Sequence, residues 1–573
     1  MAKFFDRLFQ RGSDRLIWLR VRAPSCAAAE TWRREVLEAA PLRDLRKRFL
    51  EIDISRDERP ELDAAAQSVL QSLGERSGWP LQLFLDPGSG APVFGCTSPD
   101  LVSCERILRH LLVARESSPG ELTSQAEEAR QAARARDPLC RQWPRVSSAE
   151  AREILSGASL ASFLTPLNQS LDPLTGGLGP TADAFLYPQA YEVLLRRPET
   201  LRVGQAALER LARSESCDVL GGGFFRSTDG SKLLGENAEM LELLDLAAKI
   251  TRAPFLTLTA AEARAGLLRD FWHASGGFAA GLSEAEGYYE WNAADFLGSL
   301  EGPERLPAQR FFGLTREVSF GGDRRPRLVT DIATLATELG LPPADLQNQL
   351  ATIRRKLLAF RATRSLKQPL RAPSAALPTA LALRALLAPG LLEDGSLEAS
   401  LLLSLETLVE EFSDRSRTTI GGRDFSAGNR LRWQLARACL AAALLKRPPA
   451  EQSLHEKLWV ARADGLLGDV TDVEGGVRGD TVFLGDRSDL ADFTGRSSAA
   501  LRMEAWLDRF ELANRRQDFA RVARLEAELP NQVASAMTAA RELGLAGAGV
   551  YASFVRAGAC GLFRAFQEPH ARA

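Results

Sequence analysis

Apolar positions follow two rhythms along this chain, and the change between them divides it. Near the N-terminus the runs are short and rich in β-formers. Residues 15–21 (Arg-Leu-Ile-Trp-Leu-Arg-Val), 49–54, 81–85 and 92–94 each read as a strand. Between them the period lengthens. Trp32, Val36, Leu37, Leu42, Leu45 and Phe49 suit a helix over 27–49, and Leu62, Ala66, Val69, Leu70 and Leu73 suit another opened by Pro60. A turn over 86–90 separates the last two strands, and 102–114 closes the unit as a helix. The order is βαβαββα, with Pro80 opening the third strand.

From about Glu121 the strand rhythm gives way to Ala-, Leu- and Arg-rich helical segments. Ser147 and Glu150 have the spacing of a capping box. Leu346, Leu350, Ile353, Leu357 and Phe360 mark an amphipathic helix after Pro342-Pro343. Further helices are expected near 187–196, 200–213, 236–250, 257–272, 373–388, 396–412, 428–446, 498–513 and 548–566. Glycine doublets recur at 176–177, 221–223 (a triplet), 276–277, 321–322, 421–422 and 475–476, at spacings of about 50 residues with one gap of double length. Each interval holds a helix pair. Such a period fits an (α/α)6 toroid of helix hairpins, and it fits a linear helical solenoid nearly as well.

Length and composition narrow the classes. At 573 residues the chain exceeds one compact core. With 72 basic against 74 acidic residues the net charge is −2, so no global basic field is available for nucleic acid or an anionic membrane. No apolar run approaches the roughly 18–20 residues that span a bilayer. The start at 3–11 is a short amphipathic segment broken by charge, without the apolar stretch of a secretory signal. Seven cysteines (26, 96, 104, 140, 217, 439, 560) are scattered and never in C-x-x-C spacing, and the four histidines lie far apart. Neither a disulfide framework nor a metal site is expected, and no cofactor is. The expectation is a cytoplasmic protein of a reducing compartment. The Arg478-Gly479-Asp480 triplet is read as a chance occurrence.

Three blocks carry a family resemblance. Ile54-Ser-Arg56-Asp57-Glu58-Arg59-Pro60-Glu61-Leu62-Asp63 is similar to VDREERPDID. Gly78-Trp79-Pro80-Leu81, Phe84-Leu85-Asp86-Pro87 and Phe94-Gly95-Cys96-Thr97 are similar to GGWPLxVFLTPDGxPFxGGTYFP. On them the chain resembles the spermatogenesis-associated protein 20-like thioredoxin-domain family. The resemblance implies a thioredoxin-like domain at 1–118, a helical linker at 119–145 and, at 146–573, an all-α toroid similar to six-hairpin glycosidases and N-acylglucosamine 2-epimerases. It decides for the toroid over the solenoid. It also implies that Trp79–Pro80 is cis and shapes the thioredoxin face. Where the family carries CHWCHVM this chain has Cys26, with Ala29 at the second cysteine, and the family's SPYLLQHA segment is absent.

The resemblance continues more weakly downstream, with its polar residues thinned. Gly176-Gly-Leu-Gly179, Phe185 and Pro188 are similar to GGFGxAPKFP without the lysine. Asp218-Val-Leu-Gly-Gly-Gly-Phe224 with Arg226 matches DxxGGGFxRY. Lys232-Leu-Leu-Gly-Glu236-Asn237-Ala238 resembles KMLYDNA, with the preceding PHFE gone. Gly276-Gly-Phe278 and Glu286-Gly-Tyr288-Tyr289-Glu290-Trp291 resemble a longer block from which DADS is missing. The DDKxLTxWN block corresponds to Arg371-Ala-Pro-Ser-Ala-Ala376, without its aspartates.

A sugar-processing funnel needs two convergent carboxyls in different protonation states. The polar residues left to face one are Asp218, Arg226, Glu236, Asn237, Glu286 and Glu290, each of which can equally cap a turn or pair structurally. Tyr288, Tyr289 and Trp291 can stack on a sugar or pack as core. Cys26 at a helix start can form a mixed disulfide, but without a second cysteine it cannot expel one by C-x-x-C exchange. A Cys26–Cys96 pair is one alternative, and two inert, partly buried thiols the other. Three functions follow: a non-catalytic binding or assembly protein with a protein partner or an oligomeric state, a thiol-redox protein, or a toroid that binds or processes a small carbohydrate.

Overall fold

Alternation in the first short run puts Ile17, Leu19 and Val21 on one face of a strand and Trp18 and Arg20 on the other. In the computed structural model this strand, β1 (Ile17–Arg22), is central. It pairs in parallel with β2 (Leu50–Ser55) and antiparallel with β3 (Leu81–Leu85), and β4 (Pro92–Thr97) adds to β3, giving the order β2-β1-β3-β4. The structure describes residues 14–23, 26–136, 147–155, 158–178, 186–226, 230–273, 276–283, 287–313, 324–364, 368–388, 394–414, 418–420, 423–425, 429–467, 478–481, 485–488, 498–540 and 548–559. The segment 3–11, Cys140, Gly179, Phe185, Glu286, Cys560 and the glycine doublets at 321–322, 421–422 and 475–476 lie outside the described residues.

Helices cover both faces of the sheet. After α1 (Ala27–Trp32), α2 (Pro60–Ser72) lays Leu62, Ala66, Val69 and Leu70 on Ile17, Leu19, Val21, Ile52 and Ile54. On the opposite face Trp18 stacks on Phe84 at 5.4 Å, among Trp32, Leu42, Phe49 and residues of α3 (Leu101–Ser117). Each such side chain contributes about 1.5–3 kcal/mol on leaving water. Two expectations change. The helix over 27–49 is not continuous: it passes through a π-turn (Arg33–Leu37), a 3-10 turn (Ala40–Leu42) and a single helical turn (Arg43–Arg46). Pro41 has no N–H to continue a helix. The expected linker is also structural, since α4 (Pro119–Arg136) buries Leu122 and Ala133 in the two cores beside the sheet, and Thr123 donates to Asp86 Oδ1 at 3.0 Å.

The chain divides into two compact units, Met1–Leu164 with Ala375–Ala573, and Thr165–Ser374. Beyond the sheet come α5 (Ser148–Ile154), opened by the expected Ser147–Glu150 capping box, and α6 (Ala158–Ser170).

In the Thr165–Ser374 unit the helices alternate in kind. All eight residues of α7 (Pro188–Leu195) are buried, whereas α8 (Leu201–Arg213) carries only an apolar stripe. The next pair repeats this: α9 (Leu234–Thr251), which follows the two-residue strand β5 (Lys232–Leu233), is buried over most of its first half, and α10 (Pro254–Asp270) is striped. One turn recurs before or after each pair. Asp172 N donates to Gly177 O and Gly176 N to Asp172 O; Asp218 with Gly222 and Gly223 does the same, and so does His273 with Gly276 and Gly277. The turns need glycine. A Cβ on Gly176 (φ +75) would stand 2.0 Å from Ala207 O, and one on Gly222 (φ +80) 2.1 Å from Glu262 O. After β6 (Gly281–Leu282), which pairs with β5, come α11 (Ala293–Gly298), α12 (Gly302–Phe312), α13 (Ile332–Leu339) and α14 (Pro343–Thr363), the helix expected after Pro342-Pro343.

From Ala375 the first unit resumes with the same alternation. The helices α15 (Ala376–Leu386), α17 (Asn429–Ala443) and α21 (Ala548–Ala559) are buried on nearly all described sides. α16 (Gly395–Asp414), α18 (Pro449–Leu467), α19 (Ser498–Arg515) and α20 (Phe519–Ala540) complete the set, with short strand pairs β7 (Thr418–Ile420)–β8 (Arg423–Phe425) and β9 (Arg478–Thr481)–β10 (Gly485–Ser488). The Arg478-Gly-Asp480 triplet lies in β9. Among the described residues no helix is long and apolar enough to cross a membrane.

Candidate functional site

Cys26 sits where two strands end. Arg56 N donates to Arg22 O at 2.9 Å, so the chain leaving β2 starts beside the chain leaving β1, and Cys26 N turns back to Ala23 O at 2.9 Å. Cys26 caps α1, half-buried, while Ala29 is buried one turn on. The same corner holds Trp79, whose bond to Pro80 is cis, as expected from the sequence. Trp79 Nε1 donates to Asp63 Oδ1 at 2.9 Å. Gln67 donates to that oxygen at 3.1 Å and exchanges two hydrogen bonds with Gly78, and the Arg56 guanidinium lies over the Trp79 ring at 4.4 Å.

The sequence places Cys96 just past the strand expected over 92–94. It lies in β4 opposite Gln82, because the strand runs on through Gly95 to Thr97. A Cβ at Gly95 would meet Leu70 and Leu83 at 2.8 Å, so this glycine serves close packing rather than a turn. Burial pushes the Cys96 thiol up to about 12, and Cys104 adds to the shift. It is a protonated, poor nucleophile at neutral pH. Cys26 and Cys96 are both free thiols.

The second group forms around Asp218, in the repeated glycine turn. Its Oδ1 accepts from Gly221 N at 2.9 Å and from Arg361 Nη1 at 2.9 Å, and its Oδ2 accepts from Lys232 Nζ at 2.7 Å. Burial pushes the carboxyl upward, but Arg361 and Lys232 outweigh it and hold Asp218 below the usual carboxylate range. Lys232 also donates to Gly222 O at 3.0 Å and sits 5.1 Å from both the Phe225 and Tyr289 ring centres. Arg361 lies over Tyr288 and Tyr289, at 5.3 and 5.1 Å.

The remaining candidates pack around this core. Glu236 Oε1 is 4.0 Å from Arg226 Nε, and Glu290 accepts from Arg325 Nε at 2.9 Å. Asn237 clamps the turn, taking Phe224 N at 2.7 Å and donating to Phe224 O and Leu233 O. Arg364 lies over Trp291 at 4.9 Å and donates to Gly287 O and Glu290 O, at 3.0 and 2.9 Å. Eight of the nine funnel candidates thus come together, Glu286 being outside the described residues. Each described carboxylate among them faces a cation, and the Tyr289 and Trp291 rings are covered by cations and buried.

Residues 6–132 match a family model. It is Thioredox_DsbH, described as a protein of unknown function, DUF255. The match covers β1 to β4 and nearly all of α4, so this part of the chain is similar to a thioredoxin-like family. No curated protein matches the chain. Sequence reading missed Arg361, Arg325 and Arg364. They pair with residues 35 to 143 positions away, and nothing local distinguishes them from the chain's many surface arginines. Among the described residues no group of three or more His, Cys, Asp or Glu could hold a metal ion.

Proposed function

We propose that this is a non-catalytic binding or assembly protein of a reducing, cytoplasmic compartment. In this reading it is a divergent relative of the spermatogenesis-associated protein 20-like family, and its repeated hairpins form an (α/α)6 toroid. The observation that carries the reading is the state of Asp218. Its carboxylate takes three donors and is held ionised by two buried cations, so it has no proton to give and is too weak a base to take one. Glu236 lies 4.0 Å from Arg226, Glu290 accepts from Arg325, and the Tyr289 and Trp291 rings are buried with cations over them. The alternation of buried and striped helices around one recurring glycine turn supports the hairpin toroid.

The test is turnover. The purified chain should neither hydrolyse aryl glycosides nor epimerise N-acylhexosamines, and should not catalyse insulin reduction by dithiothreitol. Light scattering should meanwhile show a defined oligomer or, with its partner, a stoichiometric complex. Multiple turnover in any of the three assays would overturn the reading.

A further inference from the structure

Exposed leucines scattered singly are ordinary on a protein surface, but grouped ones mark a binding face. Leu403 on α16 is 64% exposed, and Leu454 and Leu458 on α18 are 75% and 47% exposed. Both helices pack on the buried α17. Ion pairs join them at two levels, Glu398 with Arg447 just before α18, and Glu406 with Arg462, so the two run in the same direction. Leu403 lies one turn before Glu406 and Leu458 one turn before Arg462, so both stand beside the same bridge, with Leu454 one turn earlier still. The three side chains therefore edge one apolar groove along α16 and α18. Its surroundings are acidic. The α16 helix carries five carboxylates and no Lys or Arg, and Glu410 and Glu411 are exposed on its last turns.

We propose that this groove takes the chain's own N-terminal segment, residues 3–11. The segment lies outside the described residues, but its sequence has the complementary pattern. Phe5, Leu8 and Phe9 have the i, i+3, i+4 spacing of groove anchors, and Lys3, Arg7 and Arg11 recur every fourth residue. That basic row matches the carboxylates of α16. The point of attachment fits as well. Asp14 leads into β1, where Leu16 O accepts from Leu50 N at the start of the edge strand β2. The strand β7, which begins four residues after α16 ends, lies against β2. The segment is thus tethered at the sheet edge that α16 approaches, and the tether keeps its local concentration high. The groove draws on neither the toroid nor Cys26, so turnover in the assays above leaves it standing.

Competition within the full chain tests the docking. A fluorescein-labelled peptide of residues 1–13 should bind the variant Phe5→Ser/Phe9→Ser, whose groove is vacated. It should bind wild type about tenfold more weakly or worse, because there the tethered segment competes. Adding Leu454→Ser/Leu458→Ser to that variant should abolish peptide binding, whereas adding Leu174→Ser, at an exposed leucine elsewhere, should leave it unchanged. Adding Glu410→Gln/Glu411→Gln should weaken it several-fold at low salt and little at high salt. Equal affinity for wild type and Phe5→Ser/Phe9→Ser overturns the proposal, and so does an equal loss in Leu174→Ser. Self-association of wild type that is lost in Leu454→Ser/Leu458→Ser would assign the groove to a second copy and overturn it too.

Discussion

Asp218 shows what a buried carboxylate does when two buried cations and a backbone N–H hold it. Removing it leaves Lys232 and Arg361 buried without their counter-charge, and breaking a buried pair from one side costs about 3–5 kcal/mol. Asp218→Ala should lower the melting temperature by many degrees; a shift within error would show that the cluster contributes little to stability. Gly222→Ala should be as severe, since it places a Cβ 2.1 Å from Glu262 O at φ +80. Burial sets the reactivity of Cys96. At pH 8 a neutral maleimide should label Cys96, whose thiol is pushed up to about 12, far more slowly than it labels free glutathione; equal rates by mass mapping would refute this. Asp218 was legible as a turn residue from its glycines. Its cations were not, because Arg361 lies 143 positions away.

At the scale of elements, α4 teaches the most. Its sequence is so rich in Ala, Glu and Arg that it reads as a solvated linker, yet Ala133 is 1% exposed in the sheet core. Small residues carry little apolar signal, and only the neighbouring surface shows which face of the helix is covered. Ala133→Asp would bury an unpaired charge and should destabilise the chain by about 3 kcal/mol or more, measured by urea denaturation. The matching change at the exposed Ala135 should have little effect. The strand expected over 92–94 ends one residue before Gly95, for a related reason. A glycine near a strand end usually signals a turn, but here it lets Leu70 and Leu83 close on β4. Arg364 joins elements by donating to the carbonyls of Gly287 and Glu290, so Arg364→Ala should speed hydrogen exchange across 287–291 while leaving α7 and α8 unchanged.

For the molecule as a whole, the charged layers make stability depend on pH. Glu51, Asp53, Asp218 and Asp508 are all held below their ordinary values: burial pushes each upward, and the facing arginines, with Lys232 at Asp218, outweigh it. A depressed folded-state pKa contributes stability that is present above the unfolded value and lost as pH falls through the folded one. Unfolding free energy should therefore decline as pH drops below about 4, where free carboxyls take up protons. A flat profile from pH 6 to 3 in urea denaturation would contradict these pairings. The sequence by itself determined the order of strands and helices, the cis Trp79–Pro80 corner, the loss of the second cysteine and the recurrent glycine turns. The order of elements and the glycine turns are local matters of period and residue type, and the cis corner and the missing cysteine follow from the family resemblance of the motifs. Only the tertiary structure decided that α4 belongs to the sheet, that Cys96 is a strand residue, and that Arg56, Arg361, Arg325 and Arg364 meet the groups they do. The reason is physical: a long, flexible arginine carries no periodic signal, and its partner is chosen by which buried charge or ring the fold brings within its reach.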